Sequence, residues 1–129
     1  MYLSTKYKGF IDFIAQRYNR VVEIGIGRFP FISYSLIERG LELFATDIYP
    51  VEFRGIKVVQ DDVIRPNVLL YSGIDALFSL RPPPEIVPYM VNLAERISAD
   101  LLVKPLSSDF LGGEFRCYKN STFFLWEQI

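Results

Sequence analysis

The chain contains no histidine and one cysteine, Cys117, among its 129 residues. Without histidine there is no imidazole triad, no imidazole metal ligand and none of the commonest general base. One cysteine forms no intrachain disulfide and no cysteine-based zinc site, and a reducing, cytoplasmic location is expected. Cys117 alternates with Phe115 in a strand-like pattern, so it is expected as a small buried hydrophobe. An excess of either charge is missing as well: the formal net charge is −1, with acids and bases interspersed. No basic stripe is legible, which argues against nucleic acid as a partner. Uninterrupted apolar runs stop far short of the roughly 20 residues that cross a bilayer, so no membrane span is expected. Lys6 and Lys8 lie in a patterned N-terminal segment with no apolar core region and no cleavage site, so no signal peptide is expected. Any chemistry must therefore run on carboxylates, hydroxyls, backbone groups or a borrowed cofactor.

Apolar residues, by contrast, are plentiful. They make up 50% of the chain, and aromatics alone account for 16%. A chain of this length is expected to form one domain over residues 1–129, and a domain this small keeps much of its surface exposed. Part of the apolar surface is therefore expected to meet a second copy in a homodimer.

The order of elements follows from periodicity and punctuation. Residues 7–18 repeat apolar side chains at helical spacing. An apolar strand at 21–24 leads into a glycine turn and a helix over 30–39, with Pro30 at its first turn and Gly40 at its stop. Further strands are expected at 41–46, 56–59, 74–80 and 101–103, with a short helical turn at 67–71. A helix at 86–99 follows the break Arg81-Pro82-Pro83-Pro84-Glu85. Strands at 114–118 and 122–126 form a hairpin around Asn120-Ser121. Alternation of strands and helices implies a mostly parallel sheet covered on both faces, closed by an antiparallel hairpin.

The segment Val21-Val22-Glu23-Ile24-Gly25-Ile26-Gly27-Arg28-Phe29-Pro30 carries the chemistry. Gly25 permits a tight turn after a buried strand, and Gly27 lets the backbone approach a ligand. Asp47, at the end of the next apolar strand, can accept both hydroxyl protons of a ribose. Together they point to a nucleoside-containing cofactor. Glu23 interrupts a buried strand, where a carboxylate must find backbone donors, a basic residue or a ligand. Each residue has a plainer reading: a ligand-free turn for the glycines, a capping or solvated acid for Asp47, Asp61 and Asp62, and a strand stop for the prolines.

Glu23-x-Gly25-x-Gly27 after a strand, acids after the second and third strands, and a closing hairpin resemble class I S-adenosylmethionine-dependent methyltransferases. The proline signature and short length also resemble a small archaeal family of uncharacterised proteins with that fold in reduced form. The resemblance implies a Rossmann-like three-layer α/β/α sandwich and S-adenosylmethionine as cofactor. By position, Gly25 and Gly27 would lie beneath its methionine part and ribose, and Glu23 would organise the loop or meet its amino group. Asp47 would take the ribose hydroxyls, Ile48 would pack on the adenine, and Asp61 or, preferably, Asp62 would accept from the adenine amine. Ser79, Arg81 and Pro82, after the fourth strand, would face the substrate. Amino-methylating relatives often carry an Asp or Asn, two prolines and an aromatic at that corner. Here the residues are Ser79-Leu80-Arg81-Pro82-Pro83, and Arg81 suits an anionic group better than an amine.

Two other functions compete with a minimal methyltransferase. A nicotinamide or flavin dinucleotide binder fits less well, because Pro30 stands where a third glycine would allow close helix approach. A non-enzymatic interaction module is favoured by the apolar composition and the strand Phe123-Phe124-Leu125-Trp126.

Overall fold

The computed structural model describes residues 5–106 and 110–128. The elements in chain order are α1 (Thr5–Arg17), β1 (Arg20–Ile24), α2 (Phe31–Glu38), β2 (Glu42–Asp47), β3 (Val58–Gln60), β4 (Ala76–Leu80), α3 (Val87–Ile97), β5 (Asp100–Lys104), β6 (Glu114–Tyr118) and β7 (Ser121–Trp126). Two 3-10 turns, Val68–Tyr71 and Pro84–Ile86, complete the set. The seven strands form one sheet in the order β3-β2-β1-β4-β5-β7-β6. The first five are mutually parallel, and β7 runs antiparallel to both β5 and β6. The chain winds outward from β1 to β3, then returns to the other side of β1 with β4. This reversal leaves a crevice at the carboxyl ends of β1 and β4, where ligands bind in open α/β sheets.

Alternating side chains divide the core between the two faces of the sheet. Phe10, Phe13 and Ile14 of α1 and Ile32 and Leu36 of α2 pack on Val21, Phe78, Leu102 and Phe123. Edge-on stacking of Phe10 on Phe78 and Phe123 contributes beyond area burial. On the opposite face, Met90, Leu93 and Ala94 of α3 join Tyr71 against Val22, Leu77, Leu101 and Val103. Among the described residues no helix follows β2 or β5. That second face is consequently thinner at the β7–β6 side, where Phe110 and Phe115 are 75% and 58% exposed.

Several expected boundaries move for local reasons. β4 begins at Ala76 rather than at residue 74, because Ile74 N–H closes a turn onto Tyr71 O at 3.2 Å. The hairpin turns at Lys119-Asn120, both with left-handed φ (48° and 66°), so Ser121 already belongs to β7. The helix expected from residue 86 starts as a 3-10 turn and becomes α-helical at Val87; Ser98 caps it at φ 57°. Cys117 is exposed, which corrects its expected burial: it lies on the outermost strand, where no further layer covers it. No helix among the described residues is long and apolar enough to cross a membrane.

Candidate functional site

The glycine loop leaves the carboxyl end of β1 with φ of +73° at Gly25 and +55° at Gly27, values that disfavour any side chain. Thr46 O at the end of β2 anchors it, accepting from Gly25 N at 2.9 Å and Ile26 N at 3.2 Å. A Cβ added at Gly25 would meet nothing within 4 Å, so the backbone there borders open space. Asp47 fixes the loop from the neighbouring strand. Its Oδ2 accepts from Gly27 N at 2.8 Å and its Oδ1 from Tyr49 N at 3.0 Å. A carboxylate offers about four lone-pair positions, so each oxygen keeps one for a ligand.

Asp47 lies between two hollows. One, of about 300 Å³, is lined by the ends of β1 and β2 (Ile24, Gly25, Thr46, Asp47, Ile48), the turn after β3 (Asp61, Asp62, Val63, Ile64), and Pro83 and Ile86 beyond β4. The other, of about 500 Å³, is more open and runs from Gly27 and Arg28 past Asp47 to Tyr49 and Phe53. Ile48, 54% exposed, and Ile64 present apolar surface that needs covering.

The two adjacent acids after β3 differ sharply. Asp61 is consumed by the fold: Oδ2 accepts from Tyr71 O–H at 2.6 Å and Oδ1 from Asn67 N at 3.1 Å. Burial, aided by the Asp61 charge, raises the Tyr71 pKa, so the phenol remains a donor. Asp62 uses only Oδ1, accepting from Ile64 N at 3.0 Å; its Oδ2 takes no hydrogen bond among the described residues.

Glu23 is fully buried on β1. Ser33 Oγ of α2 donates to its Oε1 at 2.7 Å, and its Oε2 has no partner among the described residues. Burial pushes its pKa up to about 8; the Ser33 bond opposes that shift and the Asp47 charge adds to it. The carboxyl is therefore mostly protonated at neutral pH.

After β4 the three substrate-side residues diverge. Ser79 is buried, its Oγ donating to Ile24 O at 2.8 Å, so it ties β4 to the end of β1. Pro82 is buried, and Pro83 rather than Pro82 reaches the smaller hollow. Arg81 is exposed at a left-handed φ of 50°, with its guanidinium 5.7 Å from the Phe29 ring centre. Sequence reasoning missed Pro83, Ile64 and Ile86 as lining residues. The available signal was their position just past strand ends, at the carboxyl edge. Of the loop that follows β5, residues 107–109 lie outside the described residues. Among the described residues no group of acids and cysteine could hold a metal ion.

Strand order, glycine loop and strand-end acids together define a Rossmann-like fold of the methyltransferase type. The sugar N-methyltransferase KedS8 from Streptoalloteichus superposes with a TM-score of 0.60 at 15% identity, over 85% of this chain and 53% of its own. The N-terminal domain of EvdMO1, with SAH bound, superposes with a TM-score of 0.54 at 11% identity, over 99% of this chain and 67% of its own. The chain thus spans about half the length of KedS8. Within that fold it belongs to the uncharacterised protein family UPF0146, whose model matches residues 7–128. The UPF0146 protein of Archaeoglobus fulgidus is 42% identical over 118 residues, 88% of this chain and 89% of that protein.

Proposed function

We propose that the chain binds S-adenosylmethionine in the smaller hollow and acts as a minimal methyltransferase. One observation carries this reading: four strand ends contribute to a single cleft that is apolar on its walls and lined by three acids, Asp47, Asp61 and Asp62. At about 300 Å³ it is at the lower limit for small-molecule sites. Ile48, Val63, Ile64, Pro83 and Ile86 would enclose the adenine. Asp62 Oδ2 would accept from the adenine amine, and Asp47 would take the ribose hydroxyls with its spare lone pairs. The open space over Gly25 would admit the methionine part. When bound, the cofactor supplies a methyl group already activated on a sulfonium. The protein has then to align the acceptor and exclude water, which needs no histidine.

Calorimetry with S-adenosylmethionine, S-adenosylhomocysteine and NADH tests the reading. Saturable binding of the first two alone is expected. Asp62→Ala removes one hydrogen bond to a charged acceptor, worth about 1.5–3 kcal/mol, and should weaken binding ten- to a hundredfold. Binding of NADH alone would move the protein to the dinucleotide class. The interaction-module reading draws on the exposed Phe110 and Phe115 and takes precedence if no nucleoside binds.

A further inference from the structure

The sheet ends differently at its two outer strands. β3 offers Val58–Gln60, whereas β6 offers the longer Glu114–Tyr118 and has β7 as its one strand neighbour. Which backbone groups of β6 are open follows from its hairpin. Lys119-Asn120 is a two-residue turn with both φ left-handed, so the flanking Tyr118 and Ser121 exchange both of their backbone hydrogen bonds. Alternation gives the same arrangement to Arg116 with Phe123 and to Glu114 with Leu125. The N–H and C=O groups of Phe115 and Cys117 therefore point away from β7, along the outer edge. They take no hydrogen bond among the described residues.

The side chains of β6 are patterned to match. Phe115 is exposed on the thinly covered face of the sheet, with its ring centre 5.4 Å from that of Phe124. Phe124 is in register with Val103 of β5, so an apolar row crosses three strands and stops at the edge. Phe110 joins the row from the preceding loop, 5.5 Å from Phe124. On the opposite face Glu114 and Arg116 are ion-paired, and Arg116 also reaches Glu127 at 3.4 Å. β6 thus carries opposite charges two residues apart on one face, with an exposed ring between them on the other. A strand with that pattern is complementary to a reversed copy of itself.

We infer that β6 pairs antiparallel with β6 of a second copy of this chain, about a two-fold axis at Phe115, and joins two seven-stranded sheets into one. In that register Phe115 lies opposite Phe115 of the second copy and exchanges with it the backbone bonds left open, while the apolar row becomes continuous across the axis. Glu114 lies opposite Arg116 of the second copy, and Arg116 opposite its Glu114, so the charges around the axis alternate in sign. Neighbouring registers lose this match. An axis at Arg116 sets guanidinium against guanidinium, and one at Cys117 carries Glu114 past the strand to Asn120 in the turn. An unrelated partner would need the same charges and ring in reverse order; a second copy has them by symmetry. The pairing uses no residue of the cofactor cleft and is independent of what that cleft binds.

Sedimentation velocity of the full chain over a concentration series, with amide hydrogen exchange read by NMR, tests this. The wild type should sediment as a dimer, with the amides of Phe115 and Cys117 protected. Glu114→Arg turns both attractions across the axis into repulsions and should weaken dimerisation at least about tenfold, leaving the circular dichroism spectrum unchanged. Combining Glu114→Arg with Arg116→Glu restores the alternation and should return the dissociation constant to within about threefold of wild type. Phe115→Lys, at an exposed position, should sediment as a monomer with both amides exchanging freely. A wild type that stays monomeric overturns the inference. So does a dimer that neither Glu114→Arg nor Phe115→Lys weakens, which would place the contact on another face. Failure of the exchanged pair to restore what Glu114→Arg loses would overturn the register at Phe115.

Discussion

The two halves of the sheet's carboxyl edge hold their ionisable groups in opposite ways. From β1 to β3 the edge is acidic and its charges are largely answered: Asp47 by two backbone N–H groups, Asp61 by Tyr71 and Asn67, Glu23 by a raised pKa that leaves it neutral. From β4 to β5 the edge is basic and its charges are not answered by any described carboxylate. An acid can be settled by the backbone, because N–H groups converge where a strand gives way to a glycine turn. Lys104 finds, among the described residues, a backbone carbonyl, that of Thr122. The acidic half is therefore a finished structure with lone pairs to spare, and the basic half carries cations that no described carboxylate pairs with.

The strongest way to break the contrast is through α1, which packs over both halves of the sheet and against the closing hairpin. Gly9 of α1 lies against the hairpin, and a Cβ there would stand 1.9 Å from Tyr118 O, a backbone atom that cannot swing away. Gly9→Ala should destabilise the fold by about 3 kcal/mol or more and lower Tm by roughly 10 °C. A Tm within a degree of wild type in a calorimetric scan would mean that α1 does not seat as described.

Glu23→Gln tests the acidic half. Its carboxyl has a pKa of 4.5 ordinarily and about 8 when folded, so the native state keeps a proton that the unfolded chain has released. Unfolding then releases a proton, and stability falls as pH rises from about 4.5 to 8, by up to about 1.4 kcal/mol per unit. The glutamine variant should lose this slope and exceed wild type at pH 8. Parallel denaturation curves at pH 5, 6.5 and 8 would leave Glu23 ordinarily ionised and refute the assignment.

A smaller effect sharpens the basic half. Arg81→Gly removes the left-handed strain and should raise stability by about 1 kcal/mol in a denaturation measurement. A lower Tm would show that the contact of Arg81 with Phe29 stabilises the fold by more than the strain costs.

How much of this could be read in advance depended on whether the deciding contact is local. Gly25 and Gly27 announce a positive-φ turn, and an acid closing the second strand is placed by the parallel register itself; both were legible. The difference between Asp61 and Asp62 was not, because it is decided by Tyr71, which reaches back from the 3-10 turn ten residues away. Ser79 carried the same difficulty: its hydroxyl is claimed by Ile24 O, 55 residues earlier. Among three consecutive prolines, only the path of the chain after β4 determines that Pro83 faces the cleft. Cys117 was misjudged because alternation assigns a face to a residue but does not say whether another layer covers it. Lys104 ends a strand expected to stop at Val103, and nothing in its neighbours signals a buried cation.

Asp47 has one more consequence. The same side chain forms part of both hollows, with one oxygen on the glycine loop and the other on the segment that opens the larger space. A molecule in either hollow that draws on this carboxylate alters what it can offer in the other. Ligands that both drew on it would be linked, and the factor by which one changed affinity for the other would be the same in both directions.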